Sequence, residues 1–254
     1  MFKTKKSLGQ NFLIDTTIVD KIIKSVDVKD NEKILEVGPG IGYLTTKLKS
    51  FNTDLTCFEI DLDTKKYLDK LVDDKTKVIY QDFMKVDLNE YYTKDDNIHV
   101  IANIPYYITT PIIERIIDSN LNILDMTLMV QKEVADRLSS KPKSSEYGYI
   151  TVYLNYFFDV IKLFNVPKEC FKPVPKVDSA IIQLKKKDKA MVNEEVFFKL
   201  IKDSFKLKRK NLRNNLKEYD LDKIEVILSK YNMSLSNRAE ELPLEIFIDI
   251  ANNL

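Results

Sequence analysis

Residues 33–42 have the sequence Lys-Ile-Leu-Glu-Val-Gly-Pro-Gly-Ile-Gly, which joins an apolar run to a glycine-rich turn. The apolar part, Lys33–Val37, predicts a short buried strand, and residues 43–48 after the turn have helical character. The chain contains only 5 Gly among 254 residues, and three of them lie in this turn. Because glycine allows tight turns and close approach of a ligand to the backbone, the segment predicts strand, ligand-binding turn and helix.

The spacing of these glycines limits the class of ligand. The spacing is G-x-G-x-G, whereas the turn that binds dinucleotides has G-x-G-x-x-G. This difference counts against a cofactor that carries a pyrophosphate. Glu36, inside the strand, either holds the turn or is an acid at the strand edge, and the sequence leaves both open.

Two further predicted strands each end near an acid. Residues 55–60 contain Glu59, which lies about 20 residues beyond the glycines, where an acid binds ribose hydroxyls. Residues 77–80 precede Asp82, whose carboxylate can accept a hydrogen bond from an adenine amino group. In an open α/β sheet, ligands bind at the carboxyl ends of the strands. These positions therefore predict a nucleoside-binding edge.

A fourth strand, residues 99–102, leads into the tetrapeptide Asn103-Ile104-Pro105-Tyr106. Proline ends the strand because it lacks a backbone donor. An amide, nearby carbonyls and an aromatic ring can together hold a planar ring that carries an amino group, such as a nucleobase. Alone, the tetrapeptide fits a capped turn equally well, and its weight comes from the motifs before it.

This order of motifs resembles the S-adenosylmethionine-dependent methyltransferases, and the tetrapeptide resembles those that methylate exocyclic amino groups. Residues 6–13, 171–179 and 208–216 resemble signatures of the ribosomal RNA adenine dimethyltransferases. The resemblance covers nearly the whole chain, in order. It implies the α/β class, a Rossmann-like sheet with helices on both faces, and S-adenosyl-L-methionine as the cofactor.

The resemblance also implies two sets of site residues. The cofactor set is Asn11, Leu13, Gly38, Glu59, Asp82 and Asn103. The catalytic set is Asn103, Ile104, Tyr106 and Phe171. The N6 nitrogen of adenine is a weak nucleophile, and nothing in the sequence resembles a dedicated general base. We expect the Asn103 side-chain oxygen and the Ile104 carbonyl to accept the two N6 hydrogens, with Tyr106 and Phe171 stacked on the flipped base.

The family that this chain resembles has two branches. One dimethylates two adjacent adenines near the 3′ end of small-subunit rRNA, and the other dimethylates a large-subunit adenine and confers macrolide resistance. Residues 177–180 and 208–215 resemble the first branch, which implies N6,N6-dimethyladenosine formation during ribosome biogenesis. Tyr107 departs from the Asn or His expected after the tetrapeptide, which leaves the shape of the target pocket open.

Three alternative functions remain open. The first is a large-subunit methyltransferase of the macrolide-resistance type, and the second is a ribosome-assembly factor on a methyltransferase fold. A nicotinamide-dependent dehydrogenase would share the glycine turn and Glu59. It would also need an acid or base for hydride transfer, which the sequence does not show.

The distribution of charge predicts an RNA partner, although the net charge is only +1. Basic residues concentrate at Lys3, Lys5 and Lys6, in residues 185–187, and through residues 206–217. The last stretch also carries three amides that suit phosphate and sugar contacts: Asn211, Asn214 and Asn215. We expect the partner to be small-subunit rRNA, presented by a pre-assembled subunit.

The cysteines, the histidine and the hydropathy of the chain narrow the class of protein further. Cys57 and Cys170 lie on separate predicted elements, which is typical of reduced thiols in a cytoplasmic protein. The only histidine, His99, opens a strand, so no metal site is predicted. No apolar run is long enough to span a membrane. We expect a cytoplasmic monomer that does not bind membranes.

The pattern of elements predicts two domains. A helix is predicted over residues 16–26, and strands alternate with helices from residue 34 to about residue 139. Two later strands, near residues 160–164 and 178–184, complete the sheet. From about residue 191 the pattern is helical. We therefore predict a cofactor-binding catalytic domain, residues 1–187, and a helical domain, residues 188–254, that contributes to rRNA binding.

Overall fold

The computed structural model describes residues 10–254, which form two compact units. The first, called here the sheet unit, contains the described residues up to Ala135 together with Ile161–Lys185. The second, the helical unit, contains Asp136–Val160 and Lys186–Leu254. The predicted basic arm at Lys3, Lys5 and Lys6, and the first residues of the 6–13 signature, lie outside the described residues.

Nine strands occur among the described residues. Their bounds are β1 Phe12–Leu13, β2 Lys33–Val37, β3 Asp54–Glu59, β4 Thr76–Tyr80, β5 Ile98–Asn103, β6 Ile123–Gln131, β7 Phe158–Val166, β8 Phe171–Lys172 and β9 Ser179–Lys186. Seven of them form one sheet in the order β4-β3-β2-β5-β6-β9-β7. Each strand from β2 to β6 lies parallel to its neighbours in that group, whereas β9 is antiparallel to β6.

This sheet confirms the predicted α/β class. The strands predicted at residues 33–37, 55–60, 77–80 and 99–102 are observed with ends that shift by no more than one residue. The central ones form because runs rich in apolar residues suit strands that are buried on both faces. Ile34, Leu35 and Val100 are fully buried in the middle of the sheet.

Ten α-helices accompany these strands within residues 10–254. Their bounds are α1 Thr16–Lys24, α2 Tyr43–Leu48, α3 Lys65–Leu68, α4 Thr109–Asp118, α5 Lys132–Leu138, α6 Tyr149–Phe157, α7 Glu194–Ser204, α8 Leu212–Asn215, α9 Leu221–Ser229 and α10 Leu244–Asn253. Helix α1 starts where predicted, because the Asp15 carboxylate accepts the Thr17 N–H at 2.9 Å. It ends two residues before the predicted end, at Lys24. No helix in the described part of the chain is both long and apolar enough to cross a bilayer.

The helical unit contains two segments that lie outside the predicted helical domain: residues 136–160 and residues 186–187. Residues 136–160, which the predicted boundary at residue 187 placed in the first domain, belong to this unit and contain α6. Helix α6 packs on α7 through aromatic rings, with the centroids of Tyr156 and Phe197 4.9 Å apart and those of Phe157 and Phe198 5.9 Å apart. These contacts explain why residues 136–160 group with the later helices.

His99 has a structural environment at the amino end of β5, away from the predicted ligand edge. Its Nδ1 lies 2.9 Å from Asp125 Oδ2, and its Nε2 lies 2.8 Å from Glu32 Oε2. Burial of the ring opposes the charged form, but the two carboxylates outweigh it and raise the pKa of His99. The ring therefore joins strands β5 and β6 to the turn before β2.

Candidate functional site

A cavity of about 270 Å³ lies at the carboxyl ends of the parallel strands β2, β3, β4 and β5. This edge is the one at which ligands bind in open α/β sheets. Seven of the residues predicted for the site line this cavity: Asn11, Gly38, Glu59, Asp82, Asn103, Ile104 and Tyr106. The structure therefore brings the proposed cofactor and base-binding motifs together in one place.

The glycine turn after β2 needs glycine for reasons of both conformation and space. Gly38, Gly40 and Gly42 have φ angles of 70°, 60° and 88°, in the left-handed region that favours glycine. A Cβ atom on Gly40 would lie 2.6 Å from the Phe12 ring, and one on Gly42 would lie 2.5 Å from Leu71. The Phe12 ring thus closes directly over the turn. Any larger residue at Gly40 would displace it.

Glu59 joins the glycine turn to the end of β3. One carboxylate oxygen accepts the Gly40 N–H at 2.9 Å, and the other accepts the Asp61 N–H at 2.8 Å. Burial raises the pKa of Glu59, and these backbone donors oppose the rise. Each carboxylate oxygen can accept more than one hydrogen bond, so Glu59 can hold the turn and still accept hydroxyl donors from a ligand.

Glu36 lies beneath the turn rather than in the cavity. It is 1% exposed, and its Oε2 accepts the Thr45 hydroxyl at 2.7 Å and the Cys57 thiol at 3.4 Å. Burial raises the pKa of Glu36 to about 7. Since Thr45 lies in α2, directly after the glycines, the structure favours the interpretation that Glu36 holds this turn.

The β3 and β4 ends add apolar surface beside Asp82. Ile60 remains 49% exposed at the cavity, and Phe83 and Met84 line it as well. Asp82 accepts the Met84 N–H at 3.0 Å and so starts the short turn that carries Phe83. None of these three apolar residues was among the predicted site residues. For two of them the sequence does carry a signal, because Ile60 directly follows Glu59 and Phe83 directly follows Asp82.

The tetrapeptide after β5 has a fixed geometry. The Asn103 amide nitrogen donates to the Asn11 carbonyl at 3.2 Å, so the acceptor function of this side chain lies with its oxygen. The Ile104 N–H donates to Met129 O at 3.3 Å. The Tyr106 hydroxyl lies 2.6 Å from Ser179 Oγ, and burial raises the pKa of Tyr106. The Asn103 amide, the Ile104 backbone and the Tyr106 phenol therefore each have a defined orientation.

Two predicted site residues do not fit this cavity. Leu13 and Phe171 are 5% and 1% exposed, and neither lines it. They face each other in the antiparallel pair of β1 and β8, and both belong to the hydrophobic core with Met129 and Ile181. The structure therefore places both side chains in the core and not in the lining of the cavity. Stacking of Phe171 on the target base and a place for Leu13 in the cofactor site stay predictions.

The basic stretch of the helical unit is exposed, but its asparagines have structural roles. Lys206, Lys208, Arg209 and Lys210 are exposed. Asn215, 9% exposed, accepts the Leu207 N–H at 2.9 Å and donates to the carbonyls of Leu207 and Lys210 at 3.4 Å.

The other two asparagines of this stretch bond to each other. Asn211 begins α8 and accepts the Asn214 N–H at 3.2 Å and its side-chain amide at 2.5 Å. Asn211 and Asn215 thus shape the start of the helix and the loop, and contacts of this stretch with rRNA phosphates stay a prediction.

Comparison with known proteins places this geometry in a family. The family model described as ribosomal RNA adenine dimethylase matches residues 1–254. A ribosomal RNA small subunit methyltransferase A of Enterococcus faecalis is 41% identical over 271 residues, covering 100% of this chain and 91% of the relative. The protein of the same name from Oceanobacillus iheyensis is 38% identical over 265 residues, covering 99% of this chain and 90% of the relative.

A solved structure has a fold similar to that of this chain. A dimethyladenosine transferase from Plasmodium falciparum superposes with a TM-score of 0.79 at 27% identity, covering 94% of this chain and 95% of that one. The agreement includes the sheet whose strand ends carry the cavity. With a whole-chain family match, relatives near 40% identity and this fold, the chain belongs to the ribosomal RNA adenine dimethylase family.

Proposed function

We propose that this chain transfers methyl groups from S-adenosyl-L-methionine to N6 of two adjacent adenosines near the 3′ end of small-subunit rRNA. The product is N6,N6-dimethyladenosine. One observation carries the proposal: the glycine turn, Glu59 and Asp82 line the same cavity as Asn103, Ile104 and Tyr106. A nucleoside-binding half and a base-binding half thus share one space, as methyl transfer between two bound groups requires.

The residues present fit an adenosyl cofactor. Glu59 would accept hydrogen bonds from the ribose hydroxyls, Asp82 would accept one from the adenine amino group, and Ile60 and Phe83 would supply apolar surface for the ring. Within the glycine turn, Gly38 leaves room beside the backbone, since the nearest atom to a Cβ atom placed there would be the Asn103 carbonyl oxygen at 3.9 Å. When bound, the cofactor supplies an electrophilic methyl group on a sulfonium.

The protein's contribution to the reaction is positioning. The Asn103 side-chain oxygen and the Ile104 carbonyl accept the two N6 hydrogens of the target base, which favours a pyramidal nitrogen with its lone pair directed at the methyl group. Tyr106 stacks on the base after it has left its helix. The proton released from the methylated nitrogen passes to water. No side chain is required to remove a proton from N6 before the transfer.

The choice of substrate follows the named relatives. Both relatives reported above are ribosomal RNA small subunit methyltransferases, which favours the small subunit over the large-subunit alternative. We further propose that the protein works as a cytoplasmic monomer on a pre-assembled subunit. The exposed basic side chains of residues 206–217 then contact rRNA phosphates.

The test is a methylation assay with labelled cofactor and purified small and large subunits that lack the modification. Mapping the modified nucleotides should give two adjacent dimethyladenosines in the small subunit alone. The Asn103→Ala variant serves as the control for transfer that does not use this site. Label in the large subunit only, or equal label with the variant, would overturn the proposal.

A further inference from the structure

A hydrogen bond between the Tyr106 phenol and Ser179 Oγ connects the tetrapeptide after β5 to the start of β9. Tyr106 follows β5, and Ser179 is the first residue of β9. Between these two strands lies β6, whose last residue, Gln131, pairs with Ser179. The phenol therefore reaches across the end of β6 to a hydroxyl that is 2.6 Å away.

Ser179 itself is held firmly. It is fully buried, and two hydrogen bonds fix the residue before it. The Asp178 carbonyl accepts the Lys132 N–H at 3.0 Å, and the Asp178 carboxylate accepts the Lys168 N–H at 3.1 Å. Because the serine is anchored by the sheet and these contacts, the bond fixes the phenol and does not merely follow it.

Tyr106 is less constrained by its own chain. It lies in the short turn Tyr106–Ile108, next to Tyr107, which is 62% exposed. Its ring is only partly buried and lines the cavity. A tyrosine in such a turn keeps its rotamer through an anchor at the end of the side chain. The Ser179 hydroxyl is the one side-chain partner that the described residues show for the phenol oxygen.

We infer that Ser179 is a positioning residue for methyl transfer: it fixes the plane of the Tyr106 ring and thereby the tilt of the target base. This inference rests on the proposed function, in which Tyr106 stacks on that base. It also gives the 171–179 segment a role in the site. The contribution comes from the serine at its end, whereas Phe171 at its start lies in the core.

The second methyl transfer depends most on this anchor. Unmodified adenine offers two N6 hydrogens to Asn103 and Ile104, but N6-methyladenine offers only one. With one hydrogen bond fewer to orient the nitrogen, stacking supplies a larger share of the positioning. Loosening the Tyr106 ring should therefore slow the second transfer more than the first and leave monomethylated adenine as a product.

The experiment compares Ser179→Ala, Tyr106→Phe and the double variant on small subunits, with single-turnover rates for each transfer and mass spectrometry of the nucleosides. One neutral hydrogen bond corresponds to a loss of roughly three- to tenfold. We expect each single variant to slow the second transfer by about that factor, and the first by less. The double variant should be no slower than the single ones, because both remove the same bond.

A matched control separates positioning from stability. Ser204 is also fully buried, and its hydroxyl donates to the Leu200 carbonyl at 2.8 Å inside helix α7. Ser204→Ala removes a buried serine hydroxyl outside the site and should leave the ratio of monomethyl to dimethyl product unchanged.

Two results would overturn the inference: a wild-type product ratio in Ser179→Ala, or losses in the double variant equal to the product of the single losses. Failure of the wild type to form dimethyladenosine would instead contradict the proposed function itself.

Discussion

Glu36 should make the stability of the protein depend on pH in a defined direction. Burial raises its pKa from the ordinary 4.5 to about 7 in the folded chain. Between these values the folded state retains a proton that the unfolded state has lost. The stability contributed by the protonated carboxyl is therefore complete below about pH 4.5 and is lost as the pH rises through 7.

The size of this effect follows from the difference in pKa. One pKa unit corresponds to about 1.4 kcal/mol, so ionisation of the buried carboxyl costs about 3 kcal/mol of folding free energy by pH 8. At pH 5 the loss is only about 1 kcal/mol. A Glu36→Gln variant has no charge to bury, and its carbonyl can still accept the Thr45 hydroxyl. Its amide nitrogen adds a cost of about 1–3 kcal/mol that does not vary with pH.

The measurement is urea unfolding of wild type and Glu36→Gln at about pH 5 and pH 8, followed by far-UV circular dichroism because the chain has no Trp. Between the two conditions, the free energy of unfolding of the variant relative to wild type should rise by about 2–3 kcal/mol.

Two controls accompany this measurement. His99, whose raised pKa also removes stability as the pH rises, is present in both proteins, and its effect cancels. Glu218→Gln, at an exposed position, should show no such change. A difference between variant and wild type that is equal at both pH values would refute the reasoning.

Three further predictions test the site and the RNA surface. Asn103→Ala should slow methyl transfer by about 10²–10³-fold in single-turnover assays and leave cofactor affinity nearly unchanged, and a near-wild-type rate would contradict its role as acceptor. Glu59→Gln should weaken binding of S-adenosylhomocysteine by at least about tenfold, since hydrogen bonds to a charged acceptor are worth about 1.5–3 kcal/mol each, and calorimetry would detect an unchanged affinity. Replacing Arg209, Lys210 and Arg213 with Gln should reduce the slope of log affinity for small subunits against log salt by about 0.7–0.9 per lost phosphate contact, without changing cofactor affinity; equal slopes would place the RNA on another surface.

The sheet could be predicted from the sequence because its central strands carry two signals at once. Strands β2 and β5 are rich in apolar residues, and glycine or proline follows each of them within two residues. For helix α6 the local signal is ambiguous. Residues 149–157 are mostly aromatic, β-branched or apolar, and such a segment suits a strand as well as a helix by local preference. Packing against α7 decides its conformation.

In the site, too, some positions follow from the local sequence and others depend on contacts with residues far away in the chain. Asn103, Glu59 and Gly38 could be placed because the end of a parallel strand determines where its next residues lie. Phe171 could not, because its orientation depends on pairing with Leu13, far away in the chain. The partner of the Tyr106 hydroxyl, Ser179, is 73 residues away, and no local pattern indicates it.

The division of the chain into interleaved units has a consequence for fragments of this protein. Residues 136–160 are an insertion that supplies α6 to a discontinuous helical domain. A fragment that stops at residue 187 would keep Tyr156 and Phe157 of this helix and lose Phe197 and Phe198, which cover them. Deletion of the carboxyl-terminal region therefore leaves an exposed aromatic surface that promotes aggregation. Loss of activity in such a fragment would not distinguish aggregation from a missing RNA contact, so RNA binding has to be separated from catalysis by substitutions in the intact chain.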